Sequence, residues 1–304
     1  MSLSLFLWIG LTILSWGLFG FAAKCSARSF NKISHSPYNS LLYQPIGYIL
    51  GGALWGLYST NFQLETDPLG ILWAFLTGLF LGLGLIFFIK ALVTQTVSLI
   101  SPLTALYPII TLFLAVFIIR ETIAALQIIA IALAFLAIWL LNGGTLRRTK
   151  LASNRQAAFS KTVVKLRQAQ WFRYALATMF FWGFFAFFPR LALDHIATPS
   201  AIVYQAMGYL MGSTLPGLFL IGFKPQANAA GIGFGILAGI GSGAGGIFYM
   251  HGLLVGSVAI VAPATSLYPV ITIALAHLFI RERLPKSQKW GVGLSLVSIL
   301  LIHV

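Results

Sequence analysis

Residues 102–111 read PLTALYPIIT and residues 263–272 read PATSLYPVIT, so one pattern of proline, threonine and tyrosine occurs twice, 161 residues apart. In each copy a tyrosine, a proline and a second threonine follow the first threonine at three, four and seven positions. This spacing places all four residues on one face of a helix. The two stretches therefore predict a pair of equivalent apolar helices, each with a proline near its middle.

The duplication extends over most of the chain. The offset of 161 residues holds without an insertion from Tyr43 to Glu121, and it shifts to 166 near the start of the chain. Chance matches are common among apolar residues, but not among pairs of this kind. The matching pairs are Tyr43-Gln44 with Tyr204-Gln205, Arg120-Glu121 with Arg281-Glu282 and, at the shifted offset, Trp16-Gly17 with Trp182-Gly183.

The composition is that of an integral membrane protein. Of the 304 residues, 59% are hydrophobic and only 8% are charged, and the mean hydropathy is +0.93. An ordinary soluble domain has about 25% charged residues. Because Cys25 is the only cysteine, neither an intrachain disulfide nor a thiolate metal cluster can form. These values exclude a soluble enzyme, a disordered chain and a disulfide scaffold, and they make the lipid bilayer the first expected partner.

A transmembrane helix needs about 20 mostly apolar residues. By that length the sequence predicts an all-α integral membrane protein with ten transmembrane helices, five in each copy of the repeat. Consecutive copies with an odd number of helices cross the membrane in opposite directions, so the two five-helix repeats are inverted. Such repeats build transporters whose substrate site lies near the midplane. We expect the first repeat at 1–142, a basic loop at 143–173 and the second repeat at 174–304. The predicted spans are 3–23, 40–60, 69–89, 98–119, 123–142, 174–193, 200–222, 230–250, 258–280 and 288–303.

These features together resemble the ten-helix, EamA-like branch of the drug/metabolite transporter superfamily. The resemblance covers nearly the whole chain and rests on the duplicated five-helix unit, the Trp-Gly pairs, the proline-bearing fourth helices and the Arg-Glu pairs that follow them. It implies a secondary transporter, an exporter or permease that works by alternating access. The substrate class stays open, because such families carry amino acids, other metabolites, sugars and drugs.

The duplicated helix faces indicate a polar cavity near the midplane. A proline within a span frees a carbonyl, which is tolerated at depth only where protein, water or a ligand satisfies it. The alternative is ordinary helix packing, with threonine hydroxyls bonded to their own helices. The candidate substrate-binding residues are Trp16, Thr104, Tyr107, Thr111, Trp182, Thr265, Tyr268 and Thr272, and the candidate kink or gating residues are Pro102, Pro108, Pro263 and Pro269.

Other duplicated polar residues lie at the ends of the predicted helices. They are candidates for a gate or a latch, although an interfacial tyrosine and an arginine that caps a helix are ordinary structural features. These residues are Tyr43, Gln44, Tyr204, Gln205, Arg120, Glu121, Arg281 and Glu282.

The acidic residues limit the possible chemistry. All five carboxylates fall at predicted helix ends or in loops, and His277 is the candidate protonatable group within a span. An intramembrane enzyme would need a cluster of acids, nucleophiles or metal ligands at depth, so we expect no catalytic residues, metal or cofactor. The expected partner is a small organic molecule that is neutral or zwitterionic. A lipid-linked carrier or flippase and a sugar or nucleotide-sugar exchanger are the alternatives. The oligomeric state is left open.

Basic residues are distributed unevenly between the two predicted faces. Seventeen of the nineteen lysines and arginines fall on the face that carries 143–173, and only Arg120 and Arg190 fall on the other. The positive-inside rule places the basic face in the cytoplasm. We therefore expect the protein in the bacterial inner (plasma) membrane. We interpret the central basic segment as a topology determinant and expect no nucleic-acid partner.

This orientation predicts that both termini are outside the cytoplasm. Alkaline phosphatase fused after Val304 should be active and a fluorescent protein fused there should be dark, with fusions inside 143–173 giving the opposite pattern. A fluorescent fusion at Val304 would reverse the assignment.

Overall fold

The computed structural model describes residues 3–32, 36–94, 97–122, 125, 128–129, 131–133, 135–136, 140, 160–280, 290, 293–294 and 297. Within these residues the regular structure is entirely helical, as the sequence predicts. The helices are α1 (Leu3–Lys32), α2 (Ser40–Tyr48), α3 (Leu54–Ser59), α4 (Pro68–Thr94), α5 (Val97–Thr104), α6 (Pro108–Phe117), α7 (Ser160–Leu193), α8 (Thr198–Tyr209), α9 (Leu215–Leu220), α10 (Ala229–Val255), α11 (Val258–Thr265) and α12 (Pro269–Ile280).

Five helical runs in the described residues are long and apolar enough to cross a membrane. Other predicted spans are composites, in which two short helices follow one another through a π-helical segment or a turn. The fifth and tenth predicted spans lie largely outside the described residues, so the count of ten helices stays a prediction. The five runs are Leu3–Asn31, Pro68–Val93, Gln170–Leu193, Ala229–Val255 and Val258–Phe279.

The two halves of the chain exchange partners. Helix α1 of the first half packs along α10 of the second, and the equivalent helix α7 packs along α4 of the first half. Each half therefore buries its first helix against the third predicted span of the other half. This reciprocity is a pseudo-twofold relation, and it makes the two repeats one structural unit.

Paired glycines hold the halves together at backbone distance. A Cβ atom at Gly47 would overlap the Ile236 carbonyl oxygen, and one at Gly239 would overlap the Gln44 carbonyl oxygen. The same contact recurs at the equivalent positions Gly208 and Gly78, where the clashing atoms are the carbonyl oxygens of Phe75 and Gln205. Only residues without a side chain allow helices to approach this closely, as in other membrane bundles.

Helices α2 and α8, which are equivalent in the two repeats, run antiparallel. In the equivalent span, helix α2 contacts mainly the segment Leu210–Thr214 that follows α8, whereas α3, which comes after α2 in the chain, contacts α8 itself. Inverted repeats require this arrangement. Each helix continues into a five-residue π-helical segment, Ile49–Ala53 or Leu210–Thr214. Such π segments are rare and occur often at functional sites.

Two equivalent loops each form hydrogen bonds with the opposite repeat, and we call these two sets of contacts the clasps. In one, the Glu65 Oε2 atom accepts a hydrogen bond from the Ala197 amide at 2.9 Å, and the Tyr204 hydroxyl donates to the Glu65 carbonyl oxygen at 2.8 Å. In the other, Gln226 stands where Glu65 stands, and its side-chain oxygen accepts from the Ser36 amide at 3.0 Å. The Tyr43 hydroxyl donates to the Gln226 carbonyl oxygen at 3.3 Å. The clasps therefore tie each loop to the repeat that it does not belong to.

The structure corrects two expectations. The segment 143–173 is not a loop throughout, because α7 begins at Ser160, in a stretch rich in residues with good helix propensity. Pro108 and Pro269 do not kink continuous helices. Each opens a new helix after a three-residue turn, where the fixed φ of proline and its missing N–H are compatible with the first helical position.

The glycine contacts predict a sharp positional effect within α10. We expect Gly239→Ala to lower the free energy of unfolding by about 1–3 kcal/mol, because the added methyl group collides with a carbonyl of α2. Gly233→Ala in the same helix has open space at its Cβ position and should be neutral or stabilising. Melting temperatures in detergent test the pair, and equal effects would contradict the close approach.

Candidate functional site

A small internal cavity lies where the two repeats meet. Its volume is about 20 Å³, enough for a single water molecule and far below the few hundred Å³ of an organic ligand site. The lining residues form four equivalent pairs, one member from each repeat. The pairs are Trp16 and Trp182, Phe19 and Phe185, Leu81 and Ser242, and Tyr107 and Tyr268.

Two glycines seat the tryptophans against the opposite repeat. The indole of Trp16 lies on Gly245 of α10, and the indole of Trp182 lies on Gly84 of α4. The Trp182 Nε1–H group donates to the Leu81 carbonyl oxygen at 3.4 Å. Any side chain at either glycine would displace an indole ring. These contacts therefore fix the tryptophans at mid-helix positions, away from the interfaces where tryptophan usually collects.

Aromatic rings close the cavity against one another. Trp16 meets Tyr268 edge-on at 6.5 Å between centroids and Phe185 at 5.8 Å. From the other repeat, Trp182 meets Phe19 edge-on at 6.2 Å. Edge-to-face pairs contribute about 0.5–1.5 kcal/mol each beyond the area that they bury. Contacts between these rings therefore form most of the wall of the cavity.

The helix breaks aim two phenol groups toward this region. Tyr107 and Tyr268 end the turns before α6 and α12, and only 2% and 3% of their surfaces are exposed. Their hydroxyl groups lie near Thr265 and Thr104 respectively. Neither hydroxyl completes a hydrogen bond of standard geometry within the described residues. A buried phenol without a partner is costly, so both groups are well suited to bind a polar atom of a ligand.

The predicted threonines lie outside the cavity lining. Thr104 and Thr265 donate to carbonyl oxygens of their own helices at 3.1 and 2.7 Å. Thr111 donates to the Gly183 carbonyl oxygen at 2.9 Å, and Thr272 donates to that of Gly17 at 3.0 Å. The first pair stabilises the helix ends before the breaks, and the second ties each broken helix to a first helix. Their role in substrate binding stays a prediction without support from this geometry.

The candidate gate residues are separated from one another. Tyr43 and Tyr204 form the clasps described above, whereas Gln44 and Gln205 are buried between α2 and α8. Glu121, which follows α6 in the first repeat, contacts the start of α11 in the second repeat. Its two carboxylate oxygens accept hydrogen bonds from the amides of Val258 and Ala259 at 3.0 and 2.9 Å.

The remaining candidate residues are Arg120, two of the prolines and the second Arg-Glu pair. Arg120 is exposed, with a left-handed backbone at φ 55°. Pro263 is buried inside α11. The side chain of Pro102, together with Arg281 and Glu282, lies outside the described residues.

Half of the lining was not predicted. Phe19, Phe185, Leu81 and Ser242 belong to no conspicuous motif. The repeat itself held the signal, because Phe19 and Phe185 obey the offset of 166 and Leu81 and Ser242 the offset of 161. The last pair departs from symmetry, and Ser242 supplies the only aliphatic hydroxyl of the lining.

Charged residues stay away from the cavity within the part of the chain that the structure describes. Lys90 lies over the rings of Phe87 and Tyr174, at 5.5 and 5.9 Å from their centroids. The side chain of His277 is exposed on the outer surface of α12. Among the described residues, no group of three or more His, Cys, Asp or Glu side chains could hold a metal ion. The cavity is therefore aromatic and uncharged.

Comparisons with known proteins agree with this architecture. A sequence profile of the EamA-like transporter family matches residues 3–143 and 170–304. An uncharacterized protein of Methanocaldococcus jannaschii is 35% identical over 60 residues, which are 20% of this chain and 44% of that protein. The chain thus spans under half the length of this relative. A protein of known crystal structure shares the fold, with a TM-score of 0.71 and 14% identity over 99% of this chain and 96% of the other.

The contact of Glu121 predicts a stability effect. Glu121→Ala removes two charge-assisted hydrogen bonds at the start of α11, and we expect it to cost about 1–2 kcal/mol. Asp194→Ala is the control, because it breaks only a surface ion pair with Arg190, which should contribute little. Thermal melting compares the two, and an unaffected Glu121→Ala protein would show that the contact does not hold the repeats together.

Proposed function

Because the chain belongs to the EamA-like transporter family, we propose that it is a secondary transporter of a small organic metabolite. Its substrate is neutral or zwitterionic and has an apolar part, as an amino acid or a related compound does. The substrate site is the aromatic cavity between the repeats. Transport proceeds by alternating access around that site.

The pairing of the lining residues supports this proposal most strongly. Each repeat contributes one residue to each of the four pairs, so the cavity lies on the pseudo-twofold axis that relates the two halves. In transporters built from inverted repeats, the substrate site occupies this position, and the motion of one repeat against the other exposes it to each side in turn.

The chemistry of the lining favours the proposed class of substrate. Six aromatic rings supply apolar contact area, while the Tyr107, Tyr268 and Ser242 hydroxyls can orient a polar group, as in most small-molecule pockets. A sugar phosphate or a nucleotide sugar needs arginine or lysine beside its phosphate. No such residue lines the cavity, so we favour the exchanger alternative less.

Opening must separate the ring contacts, since the space of about 20 Å³ admits no organic molecule. The turns before Pro108 and Pro269 are suited to this movement. Each divides its span into two short helices, so one half can tilt while the other stays packed. We propose that the protein lies in the bacterial inner (plasma) membrane, with its basic face toward the cytoplasm.

The site assignment predicts that Tyr→Phe substitutions at the cavity lower transport, whereas a Tyr→Phe substitution elsewhere in the core lowers stability. Tyr107→Phe and Tyr268→Phe keep the ring contacts but remove buried hydroxyls, so transport should fall at least about tenfold while stability is unchanged or slightly raised. Tyr249→Phe is the control, since its hydroxyl donates to the Ala186 carbonyl oxygen at 2.6 Å. It should lose about 1 kcal/mol of stability and keep its transport rate per folded molecule.

The assay is uptake into proteoliposomes, first screened with labelled amino acids, sugars and cationic drugs. Melting temperatures are measured on the same preparations. Full transport by both Tyr107→Phe and Tyr268→Phe would exclude these hydroxyls from the site. Absence of uptake of every small molecule, combined with scrambling of labelled lipids, would favour the flippase alternative.

A further inference from the structure

A second set of buried polar groups lies between α2 and α8 with their π-helical segments. Of the eleven buried side-chain polar atoms without a hydrogen-bond partner in the described residues, seven belong to this set. Six of the seven are oxygens. We call the set the polar seam, and its members are Ser40, Gln44, Tyr48, Gln205, Tyr209 and Thr214.

Several contacts bring these side chains together. The rings of Tyr48 and Tyr209 lie 5.0 Å apart between centroids. A methyl group added at Gly246 would lie 3.1 Å from Tyr48 Oη and 4.0 Å from Gln205 Nε2, so these two side chains both border Gly246 of α10.

The antiparallel register extends the seam toward one face. Ser40, Gln44 and Tyr48 follow one another at intervals of four, on one face of α2. At this end of α2, Gly217 lies against Leu41 and Leu42, and α2 contacts the segment Leu210–Thr214. Ser40 and Thr214 therefore lie at the same end of the seam, about one helical turn apart.

The extension breaks the symmetry of the repeat. The counterparts of Ser40 and Thr214 are Ala201 and Ala53, so the opposite end of the seam lacks both hydroxyls. Two prolines also lie only at the polar end, because Pro45 corresponds to Ala206 and Pro216 to Trp55. Each proline lacks an N–H group and leaves a carbonyl of the preceding turn without its usual donor. One end of an otherwise duplicated seam is therefore enriched in oxygen atoms.

We propose that the polar end of the seam binds an alkali-metal cation, Na⁺ or K⁺. Neutral hydroxyl, amide and carbonyl oxygens suit hard cations, and irregular helical segments supply such ligands for Na⁺ in other transporters. Divalent ions prefer carboxylates, which are absent from this seam among the described residues. No member of the seam is a lysine or an arginine, and two prolines free carbonyl oxygens nearby, so a cation is favoured over an anion. The lack of a facing carboxylate predicts weak, millimolar binding.

The role of this cation as a coupling ion rests on the proposed function, but its binding does not. The binding test uses purified full-length protein without any substrate. Melting temperature is measured at constant ionic strength while choline chloride is replaced by NaCl or by KCl. We expect one of the two alkali cations to raise the melting temperature saturably, since a ligand that binds only the folded state stabilises it.

The variant Ser40→Ala/Thr214→Ala should weaken this cation effect at least about tenfold while the protein still melts cooperatively in choline. Thr198→Ala is the matched control, because Thr198 also carries a buried hydroxyl without a partner, at the opposite end of α8. It should keep the full effect. Binding of labelled ²²Na⁺ or ⁸⁶Rb⁺ to the same proteins gives a second readout.

Equal stabilisation by all three chlorides, no stabilisation by either alkali cation, or an undiminished effect in the double variant would each overturn the cation site. A bound cation in a protein that transports nothing would refute the proposed function alone. Transport without any cation effect would refute the site alone.

Discussion

Backbone-to-backbone contact between the repeats is the constraint on which the structure depends. In a lipid bilayer, apolar side chains gain little by leaving the lipid, so close packing and hydrogen bonds must hold helices together. The glycines at 47 and 239, and their equivalents at 208 and 78, bring main-chain atoms of opposite repeats into contact. This proximity sets the distance between α2 and α10 and, at the equivalent place, the distance between α8 and α4.

The sequence predicted the organisation of the fold better than the details of the site. A constant offset between rare residue pairs is a global signal. It predicted the duplicated units, which the family match over both halves confirms, and it singled out the tryptophans and tyrosines that line the cavity, whose role in binding stays a prediction. Helical spacing alone says that Thr111 shares a face with Tyr107, but not what that face contacts. The structure turns Thr111 toward the Gly183 carbonyl oxygen and Tyr107 toward the cavity.

Other features had no local signature. The π-helical segments arise from how α2 and α8 pack, and Tyr48 and Tyr209 look like ordinary apolar-face residues until their rings are seen to meet. The partner of Tyr43 is a carbonyl 183 residues away, a contact that no short pattern encodes. Departures from the repeat, such as Leu81 against Ser242, proved more informative about chemistry than the matches, because symmetry supplies the scaffold and asymmetry supplies individual polar groups.

The exchange of helices between repeats has a consequence for biosynthesis. The Ser26 hydroxyl donates to the Gly231 carbonyl oxygen, a partner 205 residues later in the chain. A ribosome adds roughly 5–20 residues each second, so α1 enters the membrane many seconds before α10 exists. During that interval its glycine-rich and polar face has no native surface to bind. The nascent first half must therefore be shielded by the insertion machinery or by lipid until the second half arrives, and a chain truncated after its first repeat is a natural substrate for membrane quality control.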